Sequence, residues 1–269
     1  MTTDDQTYAF KNALDAQGER LRTLETLFDP GTIRCLEARG VGPGWRCAEV
    51  GAGGGSIAAW LCHRVGPEGS VLATDLDTTV LRELAHPELE VRVHDLLTDE
   101  LPKDEFDLVH LRLVLGWLGD PRSVLPRLIG ALRPGGWIVA EEIDFVSAVA
   151  DPRMEAEAAA LFERVLHEHN AVLAAQHRFN PFYGRRVAGD LADAGLAEVG
   201  CEGRTTMWCG GEAGGRIWRL TLAQLRESMI AAGRMTASEI DEAMALCDNP
   251  RLSMLAPVVM AAWGRRGVA

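Results

Sequence analysis

The chain lacks any apolar run near the ~18 residues that a membrane-spanning helix needs, which argues against a membrane partner. It lacks positive charge as well. Lys and Arg number 27 against 39 Asp and Glu, a formal net charge of −12, so a broad cationic footprint for nucleic acid is not expected. A local pair such as Arg185-Arg186 is the exception. Six cysteines (Cys35, Cys47, Cys62, Cys201, Cys209, Cys247) are scattered without any C-x-x-C. They read as small apolar residues in a reducing compartment, neither a disulfide framework nor a zinc site. The opening Thr2-Thr3-Asp4-Asp5 is polar and acidic and reads as no secretory leader, so a soluble, cytoplasmic protein is expected. No internal repeat or low-complexity linker divides the 269 residues, a length that suits one domain with insertions.

What is present is an alternation of strand and helix signals. Apolar positions Leu14, Leu21, Leu24 and Phe28 recur at helical spacing up to Asp29-Pro30, and a second short helix is expected from about Thr32 to Ala38. These helices either cap the sheet or form a lid on a ligand pocket, with Tyr8, Asn12 or Arg20 reaching in. From Arg46 onward five strands are expected, around Cys47–Val50, Val71–Thr74, Leu89–Val93, Phe106–His110 and Trp137–Ala140. Helical stretches at 56–65, 78–85 and 122–132 separate them. That order means βαβ units and a parallel sheet, with ligands at the carboxyl ends of the strands. A long helix over 154–176, a strand from Val199 to Trp208, helices over 217–232 and from the Thr236–Glu239 capping box to Leu246, and a last strand from Val258 complete the reading.

The stretch Glu49-Val50-Gly51-Ala52-Gly53-Gly54-Gly55-Ser56 joins a strand to a helix start, where bare backbone N–H groups face a ligand. A dinucleotide fingerprint fits it poorly: Gly51 and Gly53 match, but Ser56 stands at the third glycine and Glu49 would repel a pyrophosphate. A cationic or zwitterionic ligand suits Glu49 better. The motif resembles motif I of the class I S-adenosyl-L-methionine (SAM)-dependent methyltransferases. The resemblance runs over 45–147 and extends to Asp75, Asp95, Phe106-Asp107-Leu108-Val109 and Leu132-Arg133-Pro134-Gly135-Gly136, with Trp263-Gly264-Arg265 like the family's closing step.

The resemblance implies an α/β fold: a doubly wound, Rossmann-like, mostly parallel sheet with an antiparallel last strand, an N-terminal helical cap and helical inserts. Residues 1–40 would be the cap and 41–269 the methyltransferase domain, with lid inserts near 151–184 and 211–250. The cofactor would be S-adenosyl-L-methionine. Glu49, Gly51, Ala52, Gly53 and Gly55 would meet its methionine and ribose portion, and Asp75 its ribose hydroxyls. Asp95 would accept from the adenine amine with Leu76 and Leu96 flanking the ring, and Leu111 and Arg112 would complete the set. An O or N atom of a small metabolite is the first acceptor, carbon the second. Where many relatives read L-x-H-L after the fourth strand, this chain has Leu115-Gly116-Trp117-Leu118, which removes a familiar histidine.

A base is needed only for a poorly acidic acceptor. The candidates are His110, Glu142 and Asp144, although His110 reads equally as a core histidine, Arg112 as a backbone holder, and Glu141 and Glu142 as strand-end acids. His167, His169 and His177 have no carboxylate or cysteine at ligand spacing, and two residues apart on a helix diverge by about 200°, so a solvated face and no metal are expected. Phe179, Asn180, Phe182 and Trp208 are pocket walls or core. Two rivals stand: a SAM-binding protein that promotes a non-methylating cyclisation or rearrangement, and a nicotinamide-dependent oxidoreductase. The N-terminal helices fit their own subunit or a neighbour's, which leaves a homodimer open.

Overall fold

The computed structural model describes residues 14–268, with the side chains of 14–17 and of His177 set aside. Tyr8, Asn12 and residues 6–13 of the expected first helix therefore lie outside the described residues, as do the side chains of Leu14 and His177. In chain order the elements are α1 (Leu14–Ala38), β1 (Arg46–Val50), α2 (Ser56–Val65), β2 (Ser70–Asp75), β3 (Leu89–Val93), β4 (Phe106–Arg112), α3 (Leu125–Ala131) and β5 (Leu132–Asp144). There follow β6 (Val149–Ala150), α4 (Ala156–His177), α5 (Val187–Asp193), β7 (Ala197–Arg204), β8 (Met207–Cys209), α6 (Ala213–Ala231), α7 (Ala237–Cys247), β9 (Ser253–Leu255) and β10 (Val258–Arg265).

The chain divides into two compact units. One comprises residues 28–142, 183–204 and 259–269 and holds a seven-stranded sheet in the order β3-β2-β1-β4-β5-β10-β7. Strands β1 to β5 are parallel, while β10 runs antiparallel to β7, and reciprocal bonds between Gly135, Gly136 and Arg266 tie it antiparallel beside β5. This is the doubly wound α/β sheet with an antiparallel last strand that the sequence implied. Central strands are apolar on both faces because helices cover both. Successive side chains point to opposite faces, so Ala48, Val50, Leu72, Leu111 and Ala140 join one cluster while Cys47, Val71, Ala73 and Val139 join the other.

The other unit takes the described residues up to Leu27 with 143–182 and 205–258. It holds the three-stranded sheet β6-β9-β8 and the helices α4, α6 and α7. Thr236 and Glu239 form the expected reciprocal capping box at the start of α7. Phe145, Phe162, Phe179 and Trp218 build an aromatic core there, and His169 lies in it, its ring 5.1 Å from that of Trp218. The solvated reading thus holds for His167 and fails for His169, which is buried. Burial lowers its pKa to about 4, so the ring packs as a neutral group. Among the described residues no cluster of three or more His, Cys, Asp or Glu side chains is arranged to hold a metal. Nor is any helix long and apolar enough to cross a membrane.

Three local expectations change. Pro30 does not end α1, which runs on to Ala38. An interior proline costs about 3 kcal/mol, but the segment beyond it is pinned: Asp29 pairs with Arg112, Thr32 donates to Glu141, and Cys35 and Leu36 are buried. The expected helix over 78–85 shrinks to one 3-10 turn at Leu81–Glu83, ahead of Pro87, which disfavours a helical His86. The single strand expected from Val199 to Trp208 is two strands, β7 and β8, in different sheets.

Candidate cofactor site

The glycine loop is built by hydrogen bonds to the neighbouring strand. Gly51 N–H and Ala52 N–H both donate to the Thr74 carbonyl, at 2.8 and 2.9 Å, and Gly55 N–H closes a turn on Ala52 at 2.9 Å. Gly51 and Gly55 have φ of 69° and 87°, in the left-handed region that glycine alone enters freely. A Cβ on Gly51 would run into Val114, and one on Gly55 into Leu81 and Leu84. Any side chain at either position would be strained and would displace these neighbours.

Register sets the remaining candidates in one row. Val50 is paired with Thr74 on one side and with Leu111 on the other, so Gly51, Asp75 and Arg112 follow at the same end of the sheet. Asp75 pairs with Val93, which puts Asp95 just beyond. Asp75 Oδ2 accepts from Gly53 N–H at 2.9 Å and Oδ1 from Asp77 N–H at 3.2 Å. Burial raises its pKa against the pull of these N–H groups. A carboxylate has about four acceptor sites, so capacity for a ligand's hydroxyls remains. Asp95 Oδ1 accepts from Leu97 N–H at 2.9 Å. Leu96 is buried, whereas Leu76 is 65% exposed, with Val93 and Leu97 also exposed near the same strand ends.

Behind the glycine loop runs a chain of buried charge. Glu49 Oε2 lies 2.6 Å from His110 Nδ1, and His110 Nε2 lies 3.8 Å from Glu141. Glu141 also takes the Thr32 hydroxyl and the Arg204 guanidinium. Arg112 donates to Thr32 and Asp29, each at 2.9 Å. Burial alone would discharge His110, but Glu49 and Glu141 outweigh it and raise its pKa. Burial likewise opposes charge on Glu141, yet His110, Arg204 and Thr32 hold it ionised. Arg112 is therefore a holder of α1 in this structure. Sequence reasoning did not single out Asp29, Thr32 or Arg204. The one available mark was Gly31, a glycine inside a helix, where a Cβ would strike the Arg204 guanidinium.

The three proton-acceptor candidates are all engaged. His110 is fully enclosed and paired to Glu49. Glu142 is 1% exposed, and its oxygens accept from the N–H groups of Val114 (3.0 Å), Leu115 (2.7 Å) and Gly116 (3.2 Å). Burial pushes its carboxyl up to about 7 despite those donors. Asp144 is buried and caps the short turn Phe145–Ser147, accepting from Val146 N–H at 2.9 Å. Among the pocket-wall candidates, Phe179 and Trp208 are core, Asn180 accepts from Phe182 N–H, and Phe182 is partly exposed.

A glycine loop after β1, acids after β2 and β3, and a sheet closed by an antiparallel strand are the layout of class I SAM-dependent methyltransferases. Residues 48–138 match the protein family described as "Methyltransferase domain". It is 31% identical over 134 residues to Methyltransferase str3 of Strobilurus tenacellus, covering 50% of this chain and 48% of that one. It is 30% identical over 137 residues to the ubiquinone/menaquinone biosynthesis C-methyltransferase UbiE of Vibrio vulnificus, covering 48% and 51%. The chain thus spans about half the length of these relatives. In fold it is similar to a Haloferax volcanii methyltransferase solved with the Trm112 methyltransferase activator, with TM-score 0.54, 15% identity, and 94% and 96% of the two chains covered.

Proposed function

We propose that this chain binds S-adenosyl-L-methionine and transfers its methyl group to an O or N atom, less readily to carbon, of a small-molecule acceptor in the cytoplasm. The observation that carries the reading is the loop Gly51–Gly55, stripped of side chains and bonded through Gly53 to Asp75, with Asp95 in the same row. When bound, this cofactor supplies an electrophilic methyl on a sulfonium and its own leaving group. The backbone of Gly51, Ala52, Gly53 and Gly55 takes the methionine and ribose portion, and Asp75 accepts from the ribose hydroxyls. Asp95 accepts from the adenine amine. Leu76 and Leu96 give the ring apolar surface, which suits the 65% exposure of Leu76, whereas Leu111 is buried in the core and supports the row from within the sheet. Glu49 is neutralised by His110 and shapes the loop from behind, and Arg112 braces the far end of the row.

His110, Glu142 and Asp144 are buried and already bonded. The task left to the chain is then to hold an acceptor in line and exclude water, with an acceptor that brings its own nucleophilic lone pair. The UbiE likeness supports a small acceptor and keeps carbon among the candidates. Titration calorimetry with SAM and S-adenosylhomocysteine tests the reading. Micromolar binding, weakened about a hundredfold or more in Asp75→Ala through loss of two charge-assisted hydrogen bonds, is expected. Failure of the intact chain to bind either compound overturns it.

A further inference from the structure

We propose that Glu142 is a positioning residue of the cofactor site, and not its proton acceptor: its carboxylate gathers the turn after β4 and so keeps Val114 seated on Gly51. The proposal rests on the reading of the glycine loop given above. After β4 the chain takes an unusual path. Leu113, which is not glycine, has φ of 58° and donates its N–H to the Glu141 carbonyl at 2.8 Å. A left-handed leucine costs on the order of 1 kcal/mol or more and persists only where its surroundings hold it.

The next three N–H groups, of Val114, Leu115 and Gly116, all converge on Glu142. Consecutive N–H groups of this kind make a concave anion site, and here a side chain of the same protein fills it. The turn held in this way puts a Val114 methyl where a Cβ of Gly51 would be. Val114 is in effect the side chain of the first glycine in the loop, supplied from the turn after β4. Glu142 reaches the cofactor loop through that one residue.

A general base would need a lone pair within reach of an acceptor. Both oxygens of Glu142 already accept from backbone donors, three N–H groups in all, and the residue is 1% exposed, out of an acceptor's reach. An apolar residue would pack more cheaply at this depth than a carboxylate held only by amides. What it would lose is the shape of the turn.

The test is calorimetric SAM binding to the intact chain, Glu142→Gln, Glu142→Asp and Val114→Ala, with thermal unfolding of each. Glutamine keeps the volume and one acceptor oxygen but aims its NH2 at a backbone donor. We expect its SAM Kd to rise about tenfold with little loss of Tm, and amide exchange at 113–116 to quicken. Aspartate should fall between wild type and glutamine, and Val114→Ala should weaken binding about threefold. A purely structural role predicts weaker binding only in step with a falling Tm, which would overturn the proposal. So would unchanged Kd in both Glu142→Gln and Val114→Ala, or turnover lost in Glu142→Gln at unchanged Kd, which marks a base. Wild type that binds no SAM would instead bring down the cofactor reading itself, and this one with it. Should Glu142→Gln fail to fold, Val114→Ala still decides.

Discussion

Glu141 and Glu142 are one peptide apart on β5, and strand alternation sends them to opposite faces of the sheet. Both are essentially unexposed. Glu141 meets cations, with His110 3.8 Å away and Arg204 bonded to it, and stays ionised well below the usual carboxylate range. Glu142 is held by three backbone N–H groups, and burial, aided by the charge of Glu141, pushes it up to about 7. Equal burial with opposite outcomes shows that the partner, not depth, sets the state of a buried acid. It also separates two jobs. Glu141 ties β4, β7 and α1 together, whereas Glu142 bends a single turn.

The largest expected effect is a direct break of that contrast. Glu141→Ala takes the buried partner from Arg204 and leaves His110 with Glu49 alone, and should lower the unfolding free energy by about 3–5 kcal/mol. Glu142→Gln removes a charge that burial disfavours, and should change it by no more than about 1 kcal/mol at pH 8. Urea unfolding measures both. Similar losses in the two variants would end the comparison.

A pH series sharpens it at somewhat smaller scale. Glu142 binds its proton more tightly folded than unfolded, so its contribution is present below about 4.5 and is lost as the pH rises from there through about 7. A decline of about 2–3 kcal/mol across that window is expected in wild type and absent in Glu142→Gln. Glu141 has the opposite sign. Its contribution is present above the ordinary glutamate value and is lost only in strong acid as the pH falls through the depressed one. His110, raised, gives stability that is full below about 6.5 and lost in alkali.

The comparison also marks how far the sequence could be read. Glycine at 51 and 55, acids at 75 and 95, and the Pro134-Gly135-Gly136 turn are local signals, and the sheet order and the row of strand ends follow from them. The different fates of Glu141 and Glu142 are not local. Glu141 is fixed by Thr32 and Arg204, which are remote in sequence, and Glu142 by a turn whose left-handed Leu113 no residue preference announces. Pro30 reads as a stop for the same reason, since the contacts that carry α1 past it come from Arg112 and Glu141. His169 reads as solvated because helical spacing separates it from His167 without saying which of the two faces the core.

The smallest expected effect is at Gly31, and it tests the cation side of the contrast. Alanine there should gain about 1 kcal/mol of helix stability on propensity alone. Its Cβ would meet the Arg204 guanidinium, which must then withdraw from Glu141. In the wild-type background the two effects oppose, and a net loss of about 1 kcal/mol is expected from a neighbouring clash and a weakened buried pair. In an Arg204→Ala background the obstacle is gone, so the same change should stabilise by about 0.5–1 kcal/mol. The sign reversal in this double-mutant cycle isolates the Gly31–Arg204 approach from everything else that Gly31→Ala alters. If Gly31→Ala has the same effect in both backgrounds, Arg204 does not lie against α1 in solution, and the low pKa of Glu141 must rest on His110 and Thr32 alone.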